Sequence, residues 1–260
     1  MNNDLFEQEM RKYELYHSIR VMDNLYSVIR VDGRSFSALT EKHFSKPFDI
    51  DMHNIMIDVS KTLLVELGGI YAYTESDEIS ILLNDDFNLF DREVEKLVSV
   101  SAGIASAKFS MISGILGHFD SRIWVGTSPS KVTDYFRWRQ SDAERCSLNG
   151  LTYWTLRSNG LSQGRATSAL NKKTIEEKLQ ILTENSISFH GIPSWQKYGT
   201  GMYWEHYVKD GFNPLTNKTV KVMRRQIKTD EQLPTKNEYS KLILDVLGQS
   251  SNDSVTIGIS

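Results

Sequence analysis

Residues 70–83 read Ile70-Tyr71-Ala72-Tyr73-Thr74-Glu75-Ser76-Asp77-Glu78-Ile79-Ser80-Ile81-Leu82-Leu83. Two short apolar runs, Ile70 to Tyr73 and Ile79 to Leu83, flank a polar segment, which predicts a β-hairpin with Thr74 to Glu78 around its tip. On its N-terminal side, Met52, Ile55, Met56, Val59, Leu63 and Leu67 recur at helical steps and stop at Gly68-Gly69, which suits a left-handed C-cap. Further out, Tyr26 to Val31 reads as a buried strand halted by Asp32-Gly33. On its C-terminal side, Val94, Leu97, Val98, Ser101, Ile104, Ala105 and Lys108 mark a second helix, and Phe119 to Val125 a fourth strand. The order β-α-β-β-α-β predicts an α+β, ferredoxin-like core: four antiparallel strands with two helices on one face.

That topology places the acids. A right-handed crossover makes the first two strands parallel and leaves room for the third between them. The end of the first strand, at Asp32, then lies beside the hairpin tip that carries Asp77 and Glu78. Carboxylates from two strands suit Mg²⁺, a hard cation usually held by one or two carboxylates together with substrate phosphates. A metal pair there could clamp the attacking and leaving oxygens of a phosphoryl or nucleotidyl transfer. Gly33 fits, because a residue without Cβ lets its backbone approach a metal or phosphate. Read separately, the Asp-Gly pair is also an ordinary turn and Ser-Asp-Glu an ordinary polar hairpin tip; their convergence favours the catalytic reading.

The 260 residues, 40% hydrophobic and 24% charged with a net charge of −3, suffice for a full core and carry no global signal for nucleic acid. The first residues lack the apolar core of a secretory signal, and no stretch reaches the length of a membrane span, so a cytoplasmic protein is expected. The single cysteine, Cys146, allows no intrachain disulfide and is expected to be a small, at least partly buried residue, not a nucleophile. The six histidines are scattered without metal-ligand spacing and are read as structural or surface residues.

Three regions are expected: a catalytic core over 1–128, a helical, basic extension over 129–245, and a polar, disordered tail over 246–260. In the extension, Asp134 to Gln140 and Leu148 to Leu156 read as helical. Tyr135, Phe136 and Trp138 interleave with Arg137 and Arg139, which suits RNA contact and base stacking; a helix using the aromatics as core is the competing reading. No acid occurs between Cys146 and Lys173, although Arg157, Arg165, Lys172 and Lys173 do. The run Lys218, Lys221, Arg224, Arg225, Lys228 is likewise free of acids, and is read as a solvated face with a phosphate-contacting surface as the alternative. Lys46, Arg92 and Lys96 are candidate cations for a nucleoside triphosphate.

The segments Arg30-Val31-Asp32-Gly33-Arg34-Ser35-Phe36, His43 to Asp49, Tyr73 to Ser80, Phe119-Asp120-Ser121-Arg122 and Asp134 to Asp142, in this order and spacing, resemble the tRNA-His guanylyltransferase family over about residues 20–200. The resemblance implies a polymerase-type palm that adds nucleotides to the 5′ end of tRNA in the 3′-to-5′ direction. It also implies two Mg²⁺ ions, ATP to adenylylate a 5′-monophosphate, and GTP or another NTP whose 3′-hydroxyl attacks. Carried onto this chain, Asp32, Asp77 and the Gly33 carbonyl would hold metal, with Glu78 supporting the catalytic site. Arg30, Arg34, Ser35, Phe36, Ser37 and Ser76 would line the nucleotide pocket with Lys46, Arg92 and Lys96. Arg137, Arg139, Arg157, Arg165, Arg224 and Arg225 would face RNA. Eukaryotic members carry His-Ile-Asn-Asn where this chain has Glu144-Arg145-Cys146-Ser147, a departure that points to the guanylyltransferase-like branch restoring 5′ nucleotides on truncated tRNA. A homotetramer is implied too. The rival readings are a palm-type nucleotide cyclase and a non-catalytic tRNA-binding protein.

Overall fold

This computed structural model describes residues 3–213 and 217–256. The predicted core elements are strands β1 (Tyr26–Gly33), β2 (Tyr71–Glu75), β3 (Glu78–Leu83) and β4 (Phe119–Gly126), with helices α3 (Ile50–Glu66) and α4 (Val94–Ser113). A short helix α1 (Asn3–Arg11) precedes them and α2 (Phe36–His43) follows β1. β3 pairs antiparallel with both β1 and β2, so these two are parallel with β3 between them, and β4 adds to the outer side of β1. The crossover helix α3 begins at Asp49, whose carboxylate accepts from the Asp51 and Met52 amides at 2.9 Å, satisfying two donors left free at a helix start.

Ile29, Val31, Ile79 and Ile81 point from the sheet into a core formed with Met56, Val59 and Leu63 of α3 and Leu97, Ala105 and Phe109 of α4. Each such fully buried side chain contributes about 1.5–3 kcal/mol. The opposite face carries Val28, Tyr71, Tyr73 and Leu82, covered by α5 (Pro129–Ser158) and α9 (Lys236–Thr256). The two stretches expected to be helical after Pro129 are thus parts of one 30-residue helix. Its C-terminal half packs through Leu148 and Leu151 onto a small subdomain of α6 (Gln163–Leu170), α7 (Ile175–Glu184) and α8 (Ser194–Tyr198), with Leu182 and Phe189 in its core.

Two expectations need correction. The extension is not only helical: β5 (Thr200–Asn213) and β6 (Lys218–Asp230) form a long hairpin whose base pairs with β2, giving a six-stranded sheet of order β4-β1-β3-β2-β5-β6. The basic run Lys218 to Lys228 lies on β6. Charges at three- and four-residue steps mimic a helix face, but strand pairing is decided by backbone partners and neighbours. The expected tail is also largely helical, since α9 continues to Thr256 and buries Val246 and Leu247 in the core; residues 257–260 lie outside the described residues. No helix among the described residues is long and apolar enough to cross a membrane.

Candidate active site

Asp32 and Glu78 stand directly opposite each other across β1 and β3, and Glu75 opposes Glu78 across the hairpin. The hairpin turns through Ser76 and Asp77, with Ser76 at φ 53°. The Gly33 amide donates to the Asp77 carbonyl at 3.2 Å, tying the end of β1 to the turn. The Ser76 hydroxyl donates to Asp77 Oδ1 at 3.1 Å.

Packing four carboxylates into this corner has electrostatic consequences. Burial, reinforced by the charge of Asp32, pushes Asp77 up to about 6, and burial beside Glu78 and Asp77 pushes Glu75 up to about 8. Glu78 is handled differently: Arg139 from α5 grips it bidentately at 2.6 and 2.7 Å, and Arg30 approaches within 3.9 Å. Arg139 is braced by Asp142 at 3.1 Å and lies 4.7 Å over the Trp138 ring. On the outer side, Arg122 sits 3.9 Å from Asp32, while its shorter contact is to Asp120 at 2.8 Å.

The donor set can be tested for a divalent cation. Asp32 and Asp77 offer hard oxygens that repel each other, and a Cβ on Gly33 would stand 2.8 Å from Asp77 Oδ2. Glycine thus keeps open the space between its backbone and that carboxylate. Among the described residues, no group of three or more His, Cys, Asp or Glu side chains forms a metal cage. Two carboxylates and a carbonyl nevertheless fit Mg²⁺, which completes its shell with water and phosphate oxygens.

The acids open onto a cavity of about 360 Å³ between the hairpin tip, the segment joining α2 to α3, and the C-terminal half of α5. Lys46 lines it. Its ammonium donates to the Thr40 hydroxyl and lies 5.9 Å over the Trp154 ring, and burial lowers its pKa despite the charge of Asp77 nearby. On the far wall His53 stacks on Trp195 at 4.0 Å and reaches Glu231 at 3.0 Å. A cavity with a carboxylate pair at one side and a cation and an indole at another can take a nucleotide: phosphate toward Lys46, base against an aromatic wall.

Not every predicted residue belongs here. Arg34, Ser35 and Ser37 are exposed at the same end of the sheet, where Ser35 at φ 61° starts α2. Phe36 is a core residue, wedged between Phe109 at 5.0 Å and Phe119 at 4.8 Å, so its side chain cannot line a nucleotide pocket. Arg30 is held by Glu78 and by Trp138 at 5.5 Å. Arg92 and Lys96 are not among the cavity's lining residues. They sit at the start of α4, where Arg92 donates to the Met22 carbonyl at 3.0 Å and pairs with Asp23, and Lys96 pairs with Glu93.

Among the arginines expected on an RNA surface, Arg139 is turned inward to Glu78, as the helical phase of buried Val132, Phe136 and Ala143 could have signalled. Arg137, Arg165, Arg224 and Arg225 are exposed, Arg225 lying over Trp204 at 4.4 Å. Arg157 bonds to the Tyr153 hydroxyl at 3.0 Å. Tyr135 and Phe136 are core, and only Trp138 of that aromatic trio is exposed. Cys146 is more exposed than expected, but the partial burial of its thiol beside Glu75 pushes the pKa up to about 11, so it is no nucleophile.

Comparison with known proteins gives a consistent result. Residues 7–127 match the family model described as tRNAHis guanylyltransferase, and residues 130–248 match that of the Thg1 C terminal domain. The chain is 29% identical to the tRNA(His) guanylyltransferase of Debaryomyces hansenii, over 88% of this chain and 90% of that one. It is 30% identical to the probable tRNA(His) guanylyltransferase of Homo sapiens, over 83% and 71%. Among solved structures, a bacterial tRNA(His) guanylyltransferase (Thg1)-like protein in complex with ATP aligns with TM-score 0.74 and 28% identity over 93% of this chain and 98% of that one. A bacterial protein of the same description in complex with GTP gives 0.72 and 26%, with the same coverage.

Proposed function

The chain belongs to the tRNA-His guanylyltransferase family, and from that premise we propose that it is a Mg²⁺-dependent 3′-to-5′ nucleotidyltransferase acting on the 5′ end of tRNA. The observation that carries the reading is that Asp32, at the end of β1, and Asp77, in the β2–β3 turn, feel each other's charge and line one cavity with Lys46. The β1-α3-β2-β3-α4-β4 order, with acids at this corner, supports reading the core as a ferredoxin-like palm.

Asp32, Asp77 and the Gly33 carbonyl would hold the Mg²⁺ pair. When bound, such ions lower the pKa of an attacking hydroxyl and offset charge on the phosphate. Lys46 draws the triphosphate into the cavity, which Ser76 lines, while Arg34, Ser35 and Ser37 stand exposed at the same end of the sheet. Glu78, fixed by Arg139, holds the geometry of the acidic corner. The tRNA 5′-monophosphate is first adenylylated by ATP with release of pyrophosphate, and the 3′-hydroxyl of GTP or another NTP then attacks the activated tRNA phosphate with release of AMP. Glu144-Arg145-Cys146-Ser147 on α5, with Glu144, Arg145 and Cys146 exposed and Cys146 and Ser147 lining this cavity, supports the guanylyltransferase-like branch that repairs truncated tRNA over strict addition to histidine tRNA. Exposed Arg137, Arg165, Arg224 and Arg225, with half-buried Arg157, supply cations for RNA. The protein works in the cytoplasm, and its exposed apolar faces support a homotetramer.

The test uses 5′-truncated tRNA with ATP and labelled GTP. The wild-type chain extends the 5′ end. Asp77→Ala abolishes extension, a loss of at least about 10³-fold, while tRNA affinity stays within about twofold of wild type. A folded wild-type chain that leaves the tRNA unextended overturns the proposal.

A further inference from the structure

Two cavities meet along α5. The first holds Asp32, Asp77 and Lys46. The second, of about 690 Å³, is an open groove between α5, α6 and α7, with Tyr153 on one wall and Ser168, Asn171, Lys172 and Lys178 around it. Gly150 lines both, and nothing lies within 4 Å of the position its Cβ would take.

An aromatic and cationic track spans this junction. Trp154 belongs to the first cavity and Tyr153 to the second, their rings edge to face at 5.2 Å. Lys46 lies over Trp154 from the acid side, and Arg157 lies 5.6 Å over Trp154 and 5.8 Å over Tyr153. In the groove, Lys173 is taken by Glu177 at 3.2 Å, whereas neither Lys172 nor Lys178 has a carboxylate in salt-bridge contact among the described residues. The track coincides with the stretch from Cys146 to Lys173 that contains no acidic residue.

We infer that this groove holds an unpaired RNA strand adjoining the 5′ end under extension, which in a tRNA is the 3′ overhang; the inference rests on the proposed function. Cations alternating with half-buried aromatic rings fit a single strand, whose bases can stack on the rings while its phosphates meet the lysines. A duplex would offer phosphates and keep its bases stacked inside. The volume lies within the roughly 300–1,000 Å³ that takes a nucleotide-sized ligand. The groove adjoins the acidic cavity at Gly150, which suits one RNA end occupying both.

The test is a binding cycle with the full chain. Affinity is measured for an intact tRNA and for the same tRNA trimmed of its 3′ overhang, with wild type and with Lys172→Glu/Lys178→Glu. Trimming should weaken wild-type binding about tenfold. The variant should bind intact tRNA about tenfold more weakly, lose nothing further on trimming, and show a salt dependence shallower by about two phosphate contacts. Its GTP affinity and melting temperature should match wild type, and Tyr153→Ala, which keeps all charges, should reproduce the insensitivity to trimming. Losses that simply add, or an unchanged affinity for intact tRNA, would overturn the inference. Extension by the wild-type chain is scored separately: its absence refutes the proposed function, whereas the cycle judges the groove.

Discussion

The Arg139–Glu78 pair shows how one residue stabilises a corner that is otherwise electrostatically unfavourable. The two side chains are 8% and 14% exposed and bond at 2.6 Å, close to Asp32 and Glu75. Removing the cation leaves a buried carboxylate among like charges, and breaking such a pair costs about 3–5 kcal/mol. Arg139→Gln is therefore expected to destabilise the chain by about 3 kcal/mol in urea unfolding. Adding Glu78→Gln should recover about half of that, because both charges are then gone. A coupling energy near zero in this double-mutant cycle would show that Arg139 acts through packing alone. The same residue marks a limit of sequence reading. Within Arg137-Trp138-Arg139 the composition announces a basic, aromatic surface, yet the helix turns Arg139 inward and leaves Arg137 outside. Asp32, Gly33 and Asp77 were legible because a strand end and a hairpin tip are fixed by local signals and the crossover rule joins them. Glu78's partner was not, since it comes from a helix 61 positions away.

At the scale of elements, the legible parts are those whose two faces differ or are both buried. α3, α4 and the β2–β3 hairpin have a periodicity dictated by the core, and they appear where the spacing predicts. The outer half of β5–β6 has water on both faces, so no alternation is imposed, and Val208, Met223 and Phe212 remain exposed there. The closure of the cavity wall was equally hidden, because it joins three distant segments: His53 of α3 stacks on Trp195 of α8 and bonds to Glu231 just after β6. Burial lowers the pKa of His53 below 6.5, with Glu231 opposing. Between that lowered value and 6.5 the folded chain binds fewer protons than the unfolded one, so its stability rises with pH. The contribution is complete above about pH 6.5 and is lost as pH falls through the folded value. Melting temperatures measured from pH 7.5 down to 5 should fall more steeply for wild type than for His53→Phe, which keeps an aromatic ring against Trp195 and has nothing to protonate. Parallel curves would refute this account.

At the scale of the whole molecule, exposed apolar side chains cluster in two places on the surface. Leu5, Phe6 and Met10 on α1 and Tyr13, Leu15 and Tyr16 beyond it are all exposed. On the outer half of the β5–β6 arm, Val208 and Met223 face each other across the ladder, 57% and 63% exposed, and Phe212 is 64% exposed. Contiguous apolar patches of this kind mark contact surfaces, and covering each such side chain would contribute about 1.5–3 kcal/mol before association entropy is subtracted. The charges of the arm alternate with these residues, so a second copy can cover the apolar positions while Arg224 and Arg225 stay hydrated or reach RNA. Light scattering of the wild-type chain at micromolar concentration should give a multiple of the single-chain mass. Val208→Lys/Met223→Glu should reduce that mass with an unchanged circular dichroism spectrum, because both side chains already stand outside the core. Since the acidic corner is built within one chain, the smaller species should still bind GTP. A wild-type mass equal to one chain would assign these faces to another partner, and a variant that keeps the wild-type mass would place the contact on α1 instead of the arm.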